Sequence, residues 1–387
     1  MSDTVILGAA RTPHGALLGG LADVPATELG ATAAAAAVER AGVHGTAVEW
    51  VGMGQAIQAG VGQVPARQVG VDAGLPDGVP ATTVNEASGS GLRALALAAD
   101  RIDAGRAGVA LAGGMESMSN APHVVEMRRG RRHGDATLAD AMVRDGLWDT
   151  VYDAHMGELT ERLVERHGLT REAQDRYALE SNRRAARAVE AGAFDDEIVP
   201  VGDGDDALAV DEGPRPDTDT EQLGELAPAF AEEGTVTAGN ASGLSDGAGA
   251  VVLATRVAAD DLGAEPRAEL VDYAVHYRDP QWFGLAVGDA VADLLAANDL
   301  AAGDVDRYEI NEAFAAPMLR VRERLDIPAG RFNPDGGAIA LGHPIGASGA
   351  ILTTTLLYGM ERAGHDLGVV GMSIGGGRGI AALLRRE

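Results

Sequence analysis

One pattern occurs twice along the chain, and it limits the fold more than any other feature. Asn85-Glu-Ala-Ser-Gly-Ser-Gly-Leu opens a helix-like run from Arg93 to Ala104. An apolar strand over Gly108 to Ala112 follows, and Gly113-Gly114 closes the unit. Much later, Gly342-His-Pro-Ile-Gly-Ala-Ser-Gly opens a helix-like run from Ala350 to Gly364, followed by an apolar strand over Leu367 to Met372 and by Gly375-Gly376-Gly377. Strand-helix-strand units share a general look, but glycine turn, helix, strand and glycine turn in one order point to duplication. Two such halves packed on one another bring both glycine-rich turns to one site.

The remaining elements fit the same plan. Thr4-Val-Ile-Leu-Gly-Ala reads as a buried strand, Ala26 to Gly42 as a helix stopped by glycine, and Val48 to Gln58 as a strand. Strands alternating with helices predict an α/β chain with a largely parallel sheet. Residues 119 to 233 differ in character and read as an insertion over one face. Within it, Met127 to His133 is an arginine-rich run expected to be solvated or to touch another subunit. Thr170 to Gly192 reads as an amphipathic helix, with Thr170 as cap, Glu172 and Asp175 near its start and Gly192 as stop. Asp203 to Pro228, heavy in Asp, Gly and Pro, reads as exposed loop.

Composition removes several function classes. The chain has 387 residues, 46% of them hydrophobic, enough for two or three domain-sized units. Its formal net charge is −27, from 58 acidic and 31 basic residues, and every basic residue is arginine. Such a surface repels nucleic acid and anionic membranes. It suits a protein that stays hydrated at high salt, so a halophilic source is expected, the alternative being an ordinary acidic protein. With no run of about 18 apolar residues, no membrane span is expected. Met1 to Ala10 carries no basic leader, so a cytoplasmic protein is expected. Cysteine is absent, which excludes disulfides, thiolate metal sites and cysteine nucleophiles.

Four segments carry chemistry. Ser88, followed by Gly89 and Gly91 and ahead of a helix, sits where amide N–H groups and the helix dipole stabilise an anion, a good setting for a nucleophile. A plain N-cap serine explains it equally, and the Gly-x-Ser-x-Gly elbow is incomplete because residue 86 is Glu. Asn311-Glu-Ala-Phe-Ala is weak alone and reads also as a helix start. His343, held between Gly342 and Pro344, has the fixed backbone that suits a general base. Ser373-Ile-Gly-Gly-Gly-Arg-Gly allows close backbone approach to a ligand, but no Gly-Lys-[Ser/Thr] follows, so it is not a nucleotide loop.

In this order the four segments resemble the active-site segments of the thiolase family: Cys-x-Ser-Gly-Leu, Asn-Glu-Ala-Phe, Gly-His-Pro and Cys-x-Gly-Gly-Gly. The resemblance runs the length of the chain and includes Ala9-Ala-Arg-Thr-Pro, Gly113-Gly-Met-Glu-Ser-Met-Ser, His155-Met-Gly and Gly234-Thr-Val-Thr-Ala-Gly-Asn-Ala-Ser-Gly-Leu-Ser-Asp-Gly-Ala. It implies two duplicated βαβαβαββ halves packed as a five-layered α-β-α-β-α core with an inserted loop domain. The halves would be 1–118 plus 234–258 and 259–387, with 119–233 inserted for coenzyme A and subunit contacts. The segment Asp140 to Met156 is most similar to the acetoacetyl-CoA-forming branch. The resemblance implies no permanent cofactor or metal, coenzyme A thioesters as substrates, and a homodimer or homotetramer. A small partner with an OB domain and a zinc ribbon, as accompanies some archaeal members, is also implied.

Carried over by position, the acyl-accepting nucleophile falls on Ser88 and its base on His343. Asn311 holds a water that, with His343, binds the acceptor's thioester oxygen. Ser373 takes the second acid/base position, and the amides of Ser88 and Gly375 form the other oxyanion hole. His155, Met156, Ala241, Ser242, Leu244 and Phe314 line the pantetheine and acyl channel. Serine therefore stands at both positions where the family uses cysteine, and with the acidic, lysine-free composition a haloarchaeal-type member is expected. A thiol titrates near pKa 8.5 and a serine hydroxyl is a far weaker acid, so Ser88 needs general-base help from His343. Three readings follow: an acetyl-CoA C-acetyltransferase or 3-ketoacyl-CoA-cleaving enzyme, a CoA-binding subunit with little chemistry, or an acyl-CoA hydrolase.

Overall fold

The computed structural model describes residues 4–387, so the first three residues of the Met1–Ala10 stretch lie outside the described residues. The first half comprises β1 (Thr4–Arg11), α1 (Ala26–Arg40), β2 (Trp50–Gly54), α2 (Pro65–Asp72), β3 (Ala81–Val84), α3 (Ser90–Asp103) and β4 (Val109–Ser117). Two helices of the insertion follow, α4 (Met156–His167) and α5 (Arg171–Glu190), and β5 (Ser245–Thr255) completes the half. The second half repeats the order: β6 (Ala268–Tyr277), α6 (Ala286–Ala297), β7 (Arg307–Ile310), α7 (Ala315–Leu325), α8 (Ser348–Ala363), β8 (Leu367–Ile374) and β9 (Arg378–Arg386).

The strands run β3-β2-β4-β5-β1 in one half and β6-β9-β8-β7 in the other. They join where β1 meets β6 through Val5 opposite Glu269 and Ile6 opposite Ala268. Each position has a counterpart: β1 with β6, β2 with β7, β4 with β8, β5 with β9. A parallel bridge from Tyr308 to Phe332 stands where β3 has its place in the first half.

The side chains of a strand alternate between two faces, and both faces here are apolar. Val5, Leu7, Val51, Met53, Leu111 and Val252 pack against α1 and α2. Ile6, Ala110, Ala112, Val251 and Leu253 point the other way, onto α3 and α8. On the far side of those helices, Leu270, Val370, Met372 and Leu384 belong to the same cluster. Val369, Ala381 and Leu383 face outward to Val287, Val291 and Leu294 of α6. The result is five layers, helices–sheet–helices–sheet–helices, with α3 and α8 as the central layer.

Three expectations are corrected. The sheet is mixed: β2 is parallel to β3 and β4, and β7 to β8, but β1–β5, β5–β4, β6–β9 and β9–β8 are antiparallel. In the second half the cause is local, because only Gly375–Gly377 separates β8 from β9, and a tight turn reverses the chain. Gly113-Gly114 is no turn but lies inside β4. A Cβ at Gly114 would sit 2.2 Å from the carbonyl oxygen of Gly346, so this strand passes against the His343 loop only because the residue is glycine. Asp203–Pro228 is not wholly exposed. Asp211 is buried and pairs with Arg11 Nη1 and Nη2 at 2.7 and 2.8 Å, while Arg11 Nε meets Glu197 Oε1 at 2.6 Å. A fully buried guanidinium demands counter-charge, and the loop supplies it.

Other readings hold. Thr170 caps α5 by accepting from the N–H of Ala173, Gly192 follows it at φ +67°, and Met127–His133 is exposed. No helix among the described residues is long and apolar enough to cross a membrane.

Candidate active site

The central helices α3 and α8 bring the two glycine-rich turns together. A Cβ on Gly349 would lie 2.4 Å from the amide nitrogen of Leu92, and one on Gly91 would lie 2.9 Å from that of Ala350. Absence of side chains at these two positions lets the helix starts touch backbone to backbone.

The turn before α3 holds Ser88. Ala87 adopts φ +46°, an uncommon conformation for a residue with a Cβ. Asn85 Oδ1 accepts from the Ala87 N–H at 3.1 Å and Ser90 Oγ donates to Ala87 O at 2.6 Å, which hold that conformation in place. The Ser88 hydroxyl is directed at His343, with 3.2 Å between Oγ and Nε2.

His343 comes from the turn before α8. Gly342 has φ +117°, and a Cβ there would collide with Ser245, so the strained step into His343 requires glycine. Ser348 Oγ donates to Pro344 O at 3.0 Å and lies 2.6 Å from His343 Nδ1. With the serine proton on that carbonyl, Nδ1 carries the imidazole proton and donates it to Ser348 Oγ, the tautomer that also lets Nε2 accept from Ser88 and Asn311 Nδ2. The network thereby assigns the lone pair to Nε2, facing Ser88. Burial lowers the His343 pKa to about 4, with a smaller contribution from His14, so the ring is neutral at pH 7. A neutral imidazole with its lone pair on a hydroxyl is arranged as a general base.

Asn311 Nδ2 lies 3.4 Å from His343 Nε2. Its Oδ1 is buried without a hydrogen-bond partner among the described residues. The neighbouring Glu312 is turned away, accepting from Tyr177, Ser181 and Asn333 at 2.8, 2.6 and 2.8 Å, and ties the insertion to the core. Ser373, near the end of β8, donates to Gly284 O at 3.0 Å. Gly375 opens the turn whose next residues, Gly376 and Gly377, have φ +79° and +78°.

Ser88, His343, Ser373 and Gly375 share one cavity of about 100 Å³. His155, Met156, Ala241, Ser242, Leu244 and Phe314, all expected as channel residues, line it. Asn311 stands behind His343 and is not among the lining residues. Beyond Gly146, Met156 and Gly375 the cavity widens into a cleft of about 600 Å³ with Arg144 and Arg378 at its side.

Several participants escaped the sequence reading. Phe230 stacks on His155 at 4.8 Å, and Phe314 stands edge-on to both Phe230 and Phe283. The chain has five phenylalanines, and three of them meet here, so their rarity was a usable signal. Ser348 lies inside a motif already singled out, but nothing in its spacing tells that its hydroxyl turns back to Nδ1. Glu116 is fully buried and accepts from the amides of Ala56, Ile57 and Gly346 at 2.9, 3.2 and 2.9 Å. It pins the His343 loop to the segment after β2, and burial raises its pKa to about 7.

A layered α/β duplication with a serine–imidazole pair beneath an apolar channel defines an acyl-transfer site. The thiolase N-terminal domain model matches residues 4–257 and the thiolase C-terminal domain model residues 264–386. The chain belongs to the thiolase family. It is 47% identical over 393 residues to the acetyl-CoA acetyltransferase of Cupriavidus necator, covering 100% of both chains. It is 45% identical over 392 residues to that of Escherichia coli K12, again covering 100% of both. The crystal structure of the Bacillus anthracis acetyl-CoA acetyltransferase superposes with a TM-score of 0.97 at 38% identity, covering 100% of this chain and 99% of that one.

Proposed function

We propose that this chain is an acetyl-CoA C-acetyltransferase that condenses two acetyl-CoA, or cleaves the 3-ketoacyl-CoA in reverse, through an acyl-Ser88 intermediate. The observation that carries the reading is the 3.2 Å contact of Ser88 Oγ with a neutral, buried His343 at the floor of the channel. The full-length acetyl-CoA acetyltransferase relatives support the reaction class. The cavity favours short acyl groups: about 100 Å³ is less than the roughly 150 Å³ that accommodates benzene in an engineered protein cavity.

In the first half-reaction His343 Nε2 takes the Ser88 proton as Oγ attacks the thioester carbonyl. The amides of Ser88 and Gly375 receive the oxyanion, and His343 returns the proton to the departing CoA sulfur. In the second, acetyl-CoA binds with its thioester oxygen toward His343 and a water held by Asn311, whose unpartnered Oδ1 suits that task. Its methyl carbon gives a proton to the group at the second acid/base position and attacks the acyl carbon; the acyl–Oγ bond of Ser88 breaks, acetoacetyl-CoA leaves, and the proton ends on Ser88 Oγ, restoring the free hydroxyl. Ser373 occupies the position of the second acid/base. Its own proton is engaged by Gly284 O, so it presents lone pairs to the cavity, and as a neutral hydroxyl it is a weak base. Carbon deprotonation is therefore the demanding step. Thiolysis is slow as well, because returning an acyl group from an oxyester to a thiol is uphill compared with thioester exchange.

Ser88 and Ser373 stand, in this reading, where other members carry cysteine. The lysine-free acidic composition supports reading the chain as a haloarchaeal type adapted to high salt. Residues 119–233 act as an insertion between 1–118 plus 234–258 and 259–387. They cover the channel, to which they contribute Gly146, Leu147, His155, Met156 and Phe230. Coenzyme A enters as substrate, no cofactor is held permanently, and the protein works as a homodimer or homotetramer. A small OB-fold, zinc-ribbon protein is a further candidate partner.

The test is intact-mass measurement after incubation with acetyl-CoA in high salt. An acetyl adduct that disappears in Ser88→Ala, together with acetoacetyl-CoA, is expected. Free CoA without acetoacetyl-CoA would make the protein a hydrolase, and bound CoA with neither adduct nor turnover would make it a binding subunit. Ser88→Cys combined with Ser373→Cys should raise thiolysis.

A further inference from the structure

Next to Ser88, the chain carries an ion-pair cluster that acyl chemistry does not itself require. Glu86, two residues before Ser88, is buried. Its Oε2 accepts from Arg93 Nε of α3 at 2.6 Å, and its Oε1 accepts from Arg93 Nη2 and from Arg378 Nη1, each at 3.4 Å. Arg378 opens β9, 292 residues away. The same guanidinium donates back to Gly375 O, at 3.2 Å from Nη2 and 3.4 Å from Nε. One arginine thus holds the Ser88 turn with one nitrogen and the Gly375–Gly377 turn with two others.

Both turns need holding. The first contains Ala87 at φ +46°, and the second has two successive glycines at positive φ. They also lie directly against each other, for a Cβ on Gly89 would sit 2.3 Å from Ile374 Cδ1. In the reading above each turn contributes one amide to the oxyanion hole, and two amides converge on one atom only if their backbones keep a fixed separation. Misplacement by about 1 Å costs about a hundredfold in rate in comparable sites.

A surface ion pair in isolation stabilises little. This one differs in two respects. Glu86 has only 10% of its side chain exposed and Arg93 18%, which limits solvent screening. Arg378, 29% exposed, joins charge pairing to capping of the glycine turn.

We infer that Glu86 and Arg378, with Arg93 behind them, are positioning residues that lock the two oxyanion-hole turns in register. The inference rests on the proposed role of the Ser88 and Gly375 amides, and its test keeps the two ideas apart. Hydrogen exchange by mass spectrometry on the full chain compares wild type, Arg378→Gln, Glu86→Gln and the double variant. Each substitution is expected to speed exchange several-fold in the turn it does not belong to. Arg378→Gln should loosen residues 85–92 and Glu86→Gln should loosen 373–379.

In parallel, acetylation of Ser88 at saturating acetyl-CoA is expected to slow roughly tenfold in either single variant, with CoA affinity within about twofold in Glu86→Gln, since one oxyanion donor commonly contributes at least that much. The double variant should be no slower than the worse single, because coupled residues lose one shared interaction. Loosening confined to the substituted turn, or multiplicative losses in the double variant, would overturn the inference. Were wild type itself not acetylated, the functional reading would fall while the exchange data still decide the clamp. Arg378 is partly exposed, so its variant remains informative if Glu86→Gln proves too unstable to purify.

Discussion

At the scale of single residues, the decisive quantity is the protonation state of one imidazole. Burial drives His343 from an ordinary pKa of 6.5 down to about 4, and Ser348 settles which nitrogen bears the proton. A base works only in its neutral form, and with a pKa of about 4 the ring stays neutral well below pH 7. The rate of Ser88 acetylation should stay flat from about pH 8 to about pH 5, then fall tenfold per unit below about pH 4. Pre-steady-state release of CoA as a function of pH measures this. A decline already centred at pH 6.5 would mean that burial does not lower the pKa of the base, and loss of the profile in His343→Ala would show whether His343 is that base. Ser88, His343, Ser373 and Gly375 were legible because each stands in a motif whose glycines or proline reveal a constrained backbone. Glu116 and Ser348 were not, because a polar residue in an apolar stretch reveals burial but not its partner.

At the scale of elements, the site depends on how closely α3 and α8 approach. Alanine is better than glycine inside a helix by about 1 kcal/mol, so Gly349→Ala would stabilise an isolated α8. In the folded chain the added methyl would sit 2.4 Å from Leu92 N and 3.0 Å from Leu92 Cα, both backbone atoms that cannot swing aside. Overpacking costs about 1–3 kcal/mol or more, so the clash outweighs the helix preference. Gly349→Ala should therefore unfold at lower denaturant and lose acetylation. Gly364→Ala, where no atom lies within 4 Å and only φ +67° opposes the change, should cost about 1–2 kcal/mol and leave acetylation intact. Equal effects of the two on acetylation would refute a role for helix contact in the site. The four helices read from the sequence, α1, α3, α5 and α8, lie within a few residues of their observed bounds, since periodicity and capping are local, whereas α2, α4 and α6 were not read. Strand direction was not, because a strand's own residues do not say on which side its neighbour runs.

At the scale of the whole molecule, a net charge of −27 opposes compaction. Salt should relieve it: between about 0.1 M and about 1 M the Debye length falls from about 10 Å to about 3 Å. The thermal unfolding midpoint should rise steadily over that range, measured by circular dichroism in potassium chloride at fixed pH. A midpoint that falls or stays level would show that the acidic surface is not an adaptation to high salt. The buried Arg11–Asp211–Glu197 cluster, fully removed from solvent, should be insensitive to the same change.

By itself the sequence determined the α/β class, the duplication, the family and the residues that meet in the channel. The class and the duplication follow from spacing and from glycine and proline at constrained backbone positions, and the family and the channel residues from the resemblance of the four motifs to the thiolase family, all of it read along the length of the chain. Tertiary structure alone decided the antiparallel half of the sheet, the burial that keeps His343 neutral, the tautomer set by Ser348 and the bond from Glu86 to Arg378 across 292 residues. Those depend on distances between segments remote in sequence, and pairing, desolvation and hydrogen-bond direction have no value until such segments are in contact.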